Sequence, residues 1–162
     1  MIIESSVPTH PMGPQGRECG GCTACCTVQG IVELDLPEGV ACPHECAAGC
    51  AIYAKRPQSC RDYECIWTKG FGDDEHRPDR LGVVIDEREF EGKRNFLVKE
   101  LRPGAAQAAA AHLAVLHQLT KRQVYLYKGD HAVELAFGQP AGEARKARKK
   151  RQKLLEKKRR EK

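Results

Sequence analysis

An α+β fold is expected for this chain: an irregular cysteine-rich metal-binding module, then a small antiparallel β-β-α-β-β unit, then a basic C-terminal helical tail. Three observations predict it. All nine cysteines lie between positions 19 and 65, and none occurs in the 97 residues that follow. Ordinary apolar periodicity begins only near residue 81. The charge is sorted as well: residues 143–162 carry twelve Lys/Arg against three Glu, a local +9, which leaves −4 on the remainder of a chain whose formal total is +5.

Residues 1–16 hold Pro8, Pro11, Pro14, Gly13 and Gly16 with little apolar pattern and read as a flexible leader. Residues 17–80 form the expected metal-binding module. They are rich in Cys, Gly, Pro and charge and poor in periodic apolar residues, so hydrophobic burial alone would hardly fold them. Metal binding worth roughly 10–16 kcal/mol at neutral pH can order such a segment, and its removal is expected to unfold this half. Residues 81–138 form the α+β unit. LGVVID (81–86) and NFLVKEL (95–101) predict one hairpin; QVYLY (123–127) and AVELAF (132–137), flanking Lys128, Gly129 and Asp130, predict a second. Between them, Pro103 and Gly104 introduce AAQAAAAHLAVLHQL, whose helix formers place Ala106, Ala109, Leu113, Leu116 and Thr120 on one face. The helix is expected across the apolar face of the sheet, with the metal module packed beside it. Residues 139–162 read as an exposed basic helix, without Gly or Pro after Gly142.

The chain's 162 residues, 41% of them hydrophobic, suffice for one ordinary core or two small ones. The start, MIIESSVPTHPMGPQG, lacks a basic and apolar export signal, and no segment approaches the roughly 18 apolar residues of a membrane span, so a cytoplasmic location and no membrane partner are expected. An odd cysteine count without an export signal favours metal ligation over a disulfide framework. No P-loop, G-x-G-x-x-G, G-x-S-x-G or H-E-x-x-H occurs, so catalysis has no positive indication and the reading leans away from an enzyme.

The chemistry resides in CGGCTACC and the cysteines after it. Cys19-Gly20-Gly21-Cys22 can turn both sulfurs to one side, the glycines easing a positive φ. Cys22-Thr23-Ala24-Cys25 repeats the spacing, and Cys26 follows directly. Adjacent Cys25 and Cys26 are expected to diverge toward different metals or different corners of one cluster. Cys42, Cys46, Cys50, Cys60 and Cys65 complete the set. Two Cys₄ zinc sites would use eight sulfurs; bridging thiolates could engage all nine. The triplet Cys19, Cys22, Cys25, with Cys42-Pro43, also suits an iron–sulfur centre. Spacing does not choose between zinc and iron. Eight thiolates around two Zn²⁺ sum to −4, so Arg17, Lys55, Arg56 and Arg61 have an electrostatic reason to stand nearby.

CGGCTACC, CPHECAAGCAIYAKRPQSCRDYECIW and RPDRLGVVID together resemble the YkgJ-type cysteine-cluster family, identified with zinc or iron chelation, over about residues 17–86. The resemblance implies Cys19, Cys22, Cys25, Cys26, Cys42, Cys50, Cys60 and Cys65 as ligands; Cys46 fits less regularly. It implies no assigned reaction.

His44 is expected at the surface rather than on a metal, and His112 and His117, five residues apart, at exposed positions. Tyr53 and Trp67 are expected in a miniature core that shields the metal. The leading function is therefore metal binding by clustered thiolates in a structural, accessory or metal-handling role, with a protein partner for the assembly case. An iron–sulfur redox protein with Cys46 left free, and a nucleic-acid module gripping phosphates through residues 145–160, are the alternatives. The nucleic-acid reading is not favoured, because aromatic residues do not interleave the tail.

Overall fold

The computed structural model describes residues 17–137. The expected leader and basic tail lie outside the described residues. The front half is built from short pieces: α1 (Ala24–Val28), a two-stranded antiparallel hairpin of β1 (Glu45–Cys46) and β2 (Gly49–Cys50), α2 (Gln58–Asp62) and α3 (Pro78–Leu81). Single 3₁₀ turns occur at Val32–Leu34, Tyr53–Lys55 and Asp74–His76. None of these pieces is long enough to hold itself together, since isolated helices under about a dozen residues are marginal in water.

The second half carries the sheet. β3 (Val83–Phe90) and β4 (Lys93–Glu100) pair antiparallel from Val83↔Glu100 to Phe90↔Lys93. Their two-residue turn has Glu91 at φ 52° and Gly92 at φ 73°, the double positive φ that matches the twist of a tight hairpin. The chain then crosses through α4 (Ala105–Ala108) and α5 (Ala110–Thr120) into β5 (Val124–Tyr127), which pairs antiparallel with β6 (Ala132–Leu135). Both expected hairpins are present, and the expected single helix is present as two, α4 and α5, interrupted at Ala109. The expected all-antiparallel sheet is not: β5 lies parallel to β4, with Phe96 opposite Val124, and the strand order is β3-β4-β5-β6. A crossover long enough to contain a helix carries the chain back along its outward course, which is the condition for parallel neighbours.

Both faces of this sheet are covered. On one, Val83, Ile85, Phe96, Val98, Val124 and Leu126 meet Ala105, Ala106, Ala109, Leu113 and Leu116 of the crossover helices. On the other, Val84 packs with Ala24, Val28, Cys65 and Trp67 of the front half. The cysteine-rich segment therefore forms a layer against the face opposite the helix, where a position beside the unit was expected. Residues 83–86 and 95–99 are buried throughout, which explains why VVID and NFLVK do not alternate as strands with one wet face would.

Polar groups fix that layer. Lys99 and Asp86 have side chains only 2% and 4% exposed. Lys99 Nζ donates to Gln29 Oε1 (2.8 Å) and to Glu38 Oε1 (2.7 Å), Gln29 Nε2 donates to Asp86 Oδ2 (3.0 Å), and the Tyr63 hydroxyl donates to Asp86 Oδ1. At the open edge of β3, Ile66 N donates to Ile85 O (3.0 Å). Among the described residues, no helix is long and apolar enough to cross a membrane.

Candidate metal centre

Cys19 and Cys22 sit on a tight turn closed by Cys22 N donating to Cys19 O (3.0 Å), with Gly20 at φ 57°; the turn glycine has the positive φ expected of it. Gly49 of the β1–β2 hairpin lies against this turn at φ 120°, and a Cβ there would stand 3.3 Å from Gly20 O. Both constraints favour glycine. They bring Cys50 up to the first cysteine pair.

Cys25 and Cys26 occupy α1, whose apolar side, Ala24 and Val28, packs on Val84. Cys42 is tied to them by its N–H, which donates to Cys26 O (2.8 Å). Cys60 is carried by α2, whose first turn is held by Glu33: Ser59 N donates to Glu33 Oε1 (2.9 Å) and Ser59 Oγ to Oε2 (2.6 Å). A carboxylate at a helix start satisfies orphan N–H groups. Cys65 is buried just before the β3-edge residue Ile66, and Thr68 Oγ1 donates to its carbonyl (2.7 Å).

Eight of these thiols, Cys19, Cys22, Cys25, Cys26, Cys42, Cys50, Cys60 and Cys65, line one cavity of about 310 Å³. All nine cysteines are free thiols. Cys46 does not line this cavity and is exposed. Register explains the difference: Cys50 pairs with Glu45, Cys46 with Gly49, and successive residues of a strand face opposite ways. No group of three or more His, Cys, Asp or Glu side chains among the described residues is placed so that it could hold a metal ion. The sulfurs surround a volume instead of converging on a point.

The remaining wall is mostly apolar, with Ile31, Leu34, Ile52 and Val84, and carries Gln29, Glu38, Tyr63, Arg56 and Arg88 as polar groups. Burial raises the thiol pKa of Cys19, Cys22 and Cys60. Cys25 is raised chiefly because its thiol donates a hydrogen bond to Cys26, and that bond lowers Cys26 to about 7. The adjacent pair lines one cavity, where divergence toward different metals or different corners of one cluster was expected.

Of the four cations expected nearby, Arg56 lines the cavity and lowers the Cys19 thiol against the stronger effect of burial. Its guanidinium also stacks 3.9 Å over the Tyr53 ring. Arg61 donates instead to Arg56 O (3.0 Å) and Ala54 O (3.2 Å), and Arg17 stacks on Trp67 and donates to Gly72 O (2.8 Å). Lys55 is exposed and is not part of the wall. Trp67 is buried as expected; Tyr53 is 47% exposed at the cavity wall rather than in a core. His44 takes no part in the wall.

His112 and His117 are both partly buried, contrary to expectation. His112 stacks on His76 at 3.9 Å between centroids, and His117 Nδ1 lies 2.8 Å from Arg122 O. Sequence reasoning missed Gln29, Glu38, Tyr63 and Arg88 as wall residues. Only the sheet packing brings β3 and the segment after α1 together, although the proximity of Gln29 and Tyr63 to cysteines was a signal available in the sequence.

No family model, curated protein or solved structure matches this chain.

Proposed function

We propose that this chain is a cysteine-cluster metal-binding protein, holding zinc or iron through thiolates in a structural, accessory or metal-handling role. One observation carries the reading: eight of nine cysteines, drawn from five separate stretches of chain, line a single cavity. The donor set fits soft-to-borderline metals, since thiolates select zinc, copper(I) and iron–sulfur centres over hard cations. Resemblance to the YkgJ-type family supports the same eight ligands. A reducing, cytoplasmic setting suits nine free thiols.

The test is metal analysis and visible spectroscopy of the full chain purified without oxygen. Stoichiometric zinc in a colourless protein assigns zinc. A brown protein with broad visible absorption assigns an iron–sulfur centre and opens the redox role. Protein that carries neither metal and takes up neither on reconstitution refutes the proposal.

A further inference from the structure

We propose that the basic C-terminal segment of this chain docks as a helix, antiparallel to α5, on an apolar stripe that α4 and α5 turn to solvent. The proposal is independent of the metal-binding reading. The stripe comes first. Residues 105–120 contain no Asp, Glu, Lys or Arg, and a helix that is apolar all round is ordinarily covered on every side. Here only one side is covered. Ala109, Leu113 and Leu116 enter the core, while Val115 and Leu119 are each 38% exposed and Ala108 and Ala111 are exposed with them. Positions 108, 111, 115 and 119 follow at helical spacing and so share one face.

The end of the described chain points to what covers that face. Phe137 packs on His117, near the C-terminal end of α5, with ring centroids 5.7 Å apart. Residues 138–162 continue from there. The five residues Gly138 to Gly142 can span up to about 17 Å, more than the roughly 10 Å width of a helix, so the chain can cross to the stripe. Beyond them, Ala144, Ala147, Leu154 and Leu155 have the spacing of one helical face, and the aliphatic stems of the bases between them can extend it. Antiparallel pairing sets small against large. Ala144 and Ala147 come over Leu119 and Val115, and Leu154 and Leu155 over Ala111 and Ala108. The lengths agree as well, since helical spans of 144–154 and 108–119 are about 15 Å and about 16.5 Å.

Charge argues the same way. His112, at the edge of the stripe, stacks on His76 with 3.9 Å between centroids, which brings the turn Asp73-Asp74-Glu75 to the N-terminal end of α5. The side chains of Asp73 and Glu75 are 72% and 83% exposed, and Arg80, 3.5 Å from Glu75, offsets only part of the turn's charge. A segment running antiparallel to α5 delivers Lys157, Lys158, Arg159 and Arg160 to that acidic turn.

Cross-linking and hydrogen exchange on the full chain test this. A carbodiimide joins a lysine amine to a carboxylate as an amide, with loss of water, where the two touch. The monomer is expected to yield peptides that link Lys157 or Lys158 to residues 73–75 within one chain. Amide exchange over residues 143–158 is expected to be slower than in an open chain by about tenfold or more. The double variant Val115→Lys, Leu119→Lys, at two exposed positions, should abolish both signals. Exchange at the open-chain rate, absence of the cross-link, or signals that survive the double variant overturn the docking. Cross-links found only between chains overturn it in favour of a second copy on this face. The cross-link is read on the unsubstituted chain, so the result stands even if the double variant does not fold.

Discussion

Cys46 and Cys50 are four residues apart in the same small hairpin, yet only Cys50 reaches the cavity, because Cys46 is paired with Gly49 on the other face. Cys46→Ser should therefore leave metal content unchanged, whereas Cys42→Ser, at a buried wall position, should lower it and destabilise the front half; metal analysis of the two variants decides this. The thiols of Cys19, Cys22 and Cys60, raised by burial, must lose protons to ligate. Metal affinity should accordingly climb with pH by about tenfold per unit for each proton released, as competition with a chromophoric chelator would show. His112 follows a different linkage. Burial first, and the neighbouring His76 second, lower its pKa from 6.5 to about 4, so the folded protein keeps it neutral where the unfolded chain protonates it. Its contribution to stability is complete above pH 6.5 and is lost as pH falls toward 4. Denaturant titrations should show a loss of up to about 2 kcal/mol across that window. His112→Phe should flatten it.

At the scale of elements, the site depends on short pieces held by turns rather than by their own length. At Gly49, positive φ and close approach coincide where the β1–β2 hairpin lies against the first cysteine turn, in which Gly20 also has a positive φ. Gly49→Ala requires a φ of 120° that L-residues rarely adopt and puts a Cβ 3.3 Å from Gly20 O. It should cost about 1–3 kcal/mol in chemical denaturation and reduce bound metal, because Cys50 is displaced with the hairpin. Gly39→Ala is the control: its φ is also positive, at 79°, but nothing lies within 4 Å of the added methyl. It should therefore show backbone strain without loss of metal.

At the scale of the whole molecule, the sheet is a floor with helices below and cysteines above. The buried Lys99–Asp86–Gln29 contact joins the two upper layers. Lys99→Met removes a buried cation from beside Asp86, leaving it the Gln29 and Tyr63 hydrogen bonds and the Arg88 guanidinium 3.6 Å away, and should cost about 3 kcal/mol by urea titration. Adding Asp86→Leu should restore part of that loss. Chelation of bound metal should raise hydrogen exchange in residues 17–80 while β3, β4 and β5 stay protected by the core around Phe96, Leu113 and Val124. The sequence alone determined what is local: two hairpins, a helical crossover with its buried face, and the glycine in the first cysteine turn. Residue spacing and turn chemistry act over a few positions, so these were legible. Tertiary structure alone decided the parallel β4–β5 pairing, the layer on the second sheet face, the exclusion of Cys46 and the recruitment of Gln29, Tyr63 and Arg88. Each depends on which distant segments share a surface. That is settled by the joint burial of Val84 with Val28 and Trp67 and of Asp86 with Lys99, a condition no short window of sequence contains.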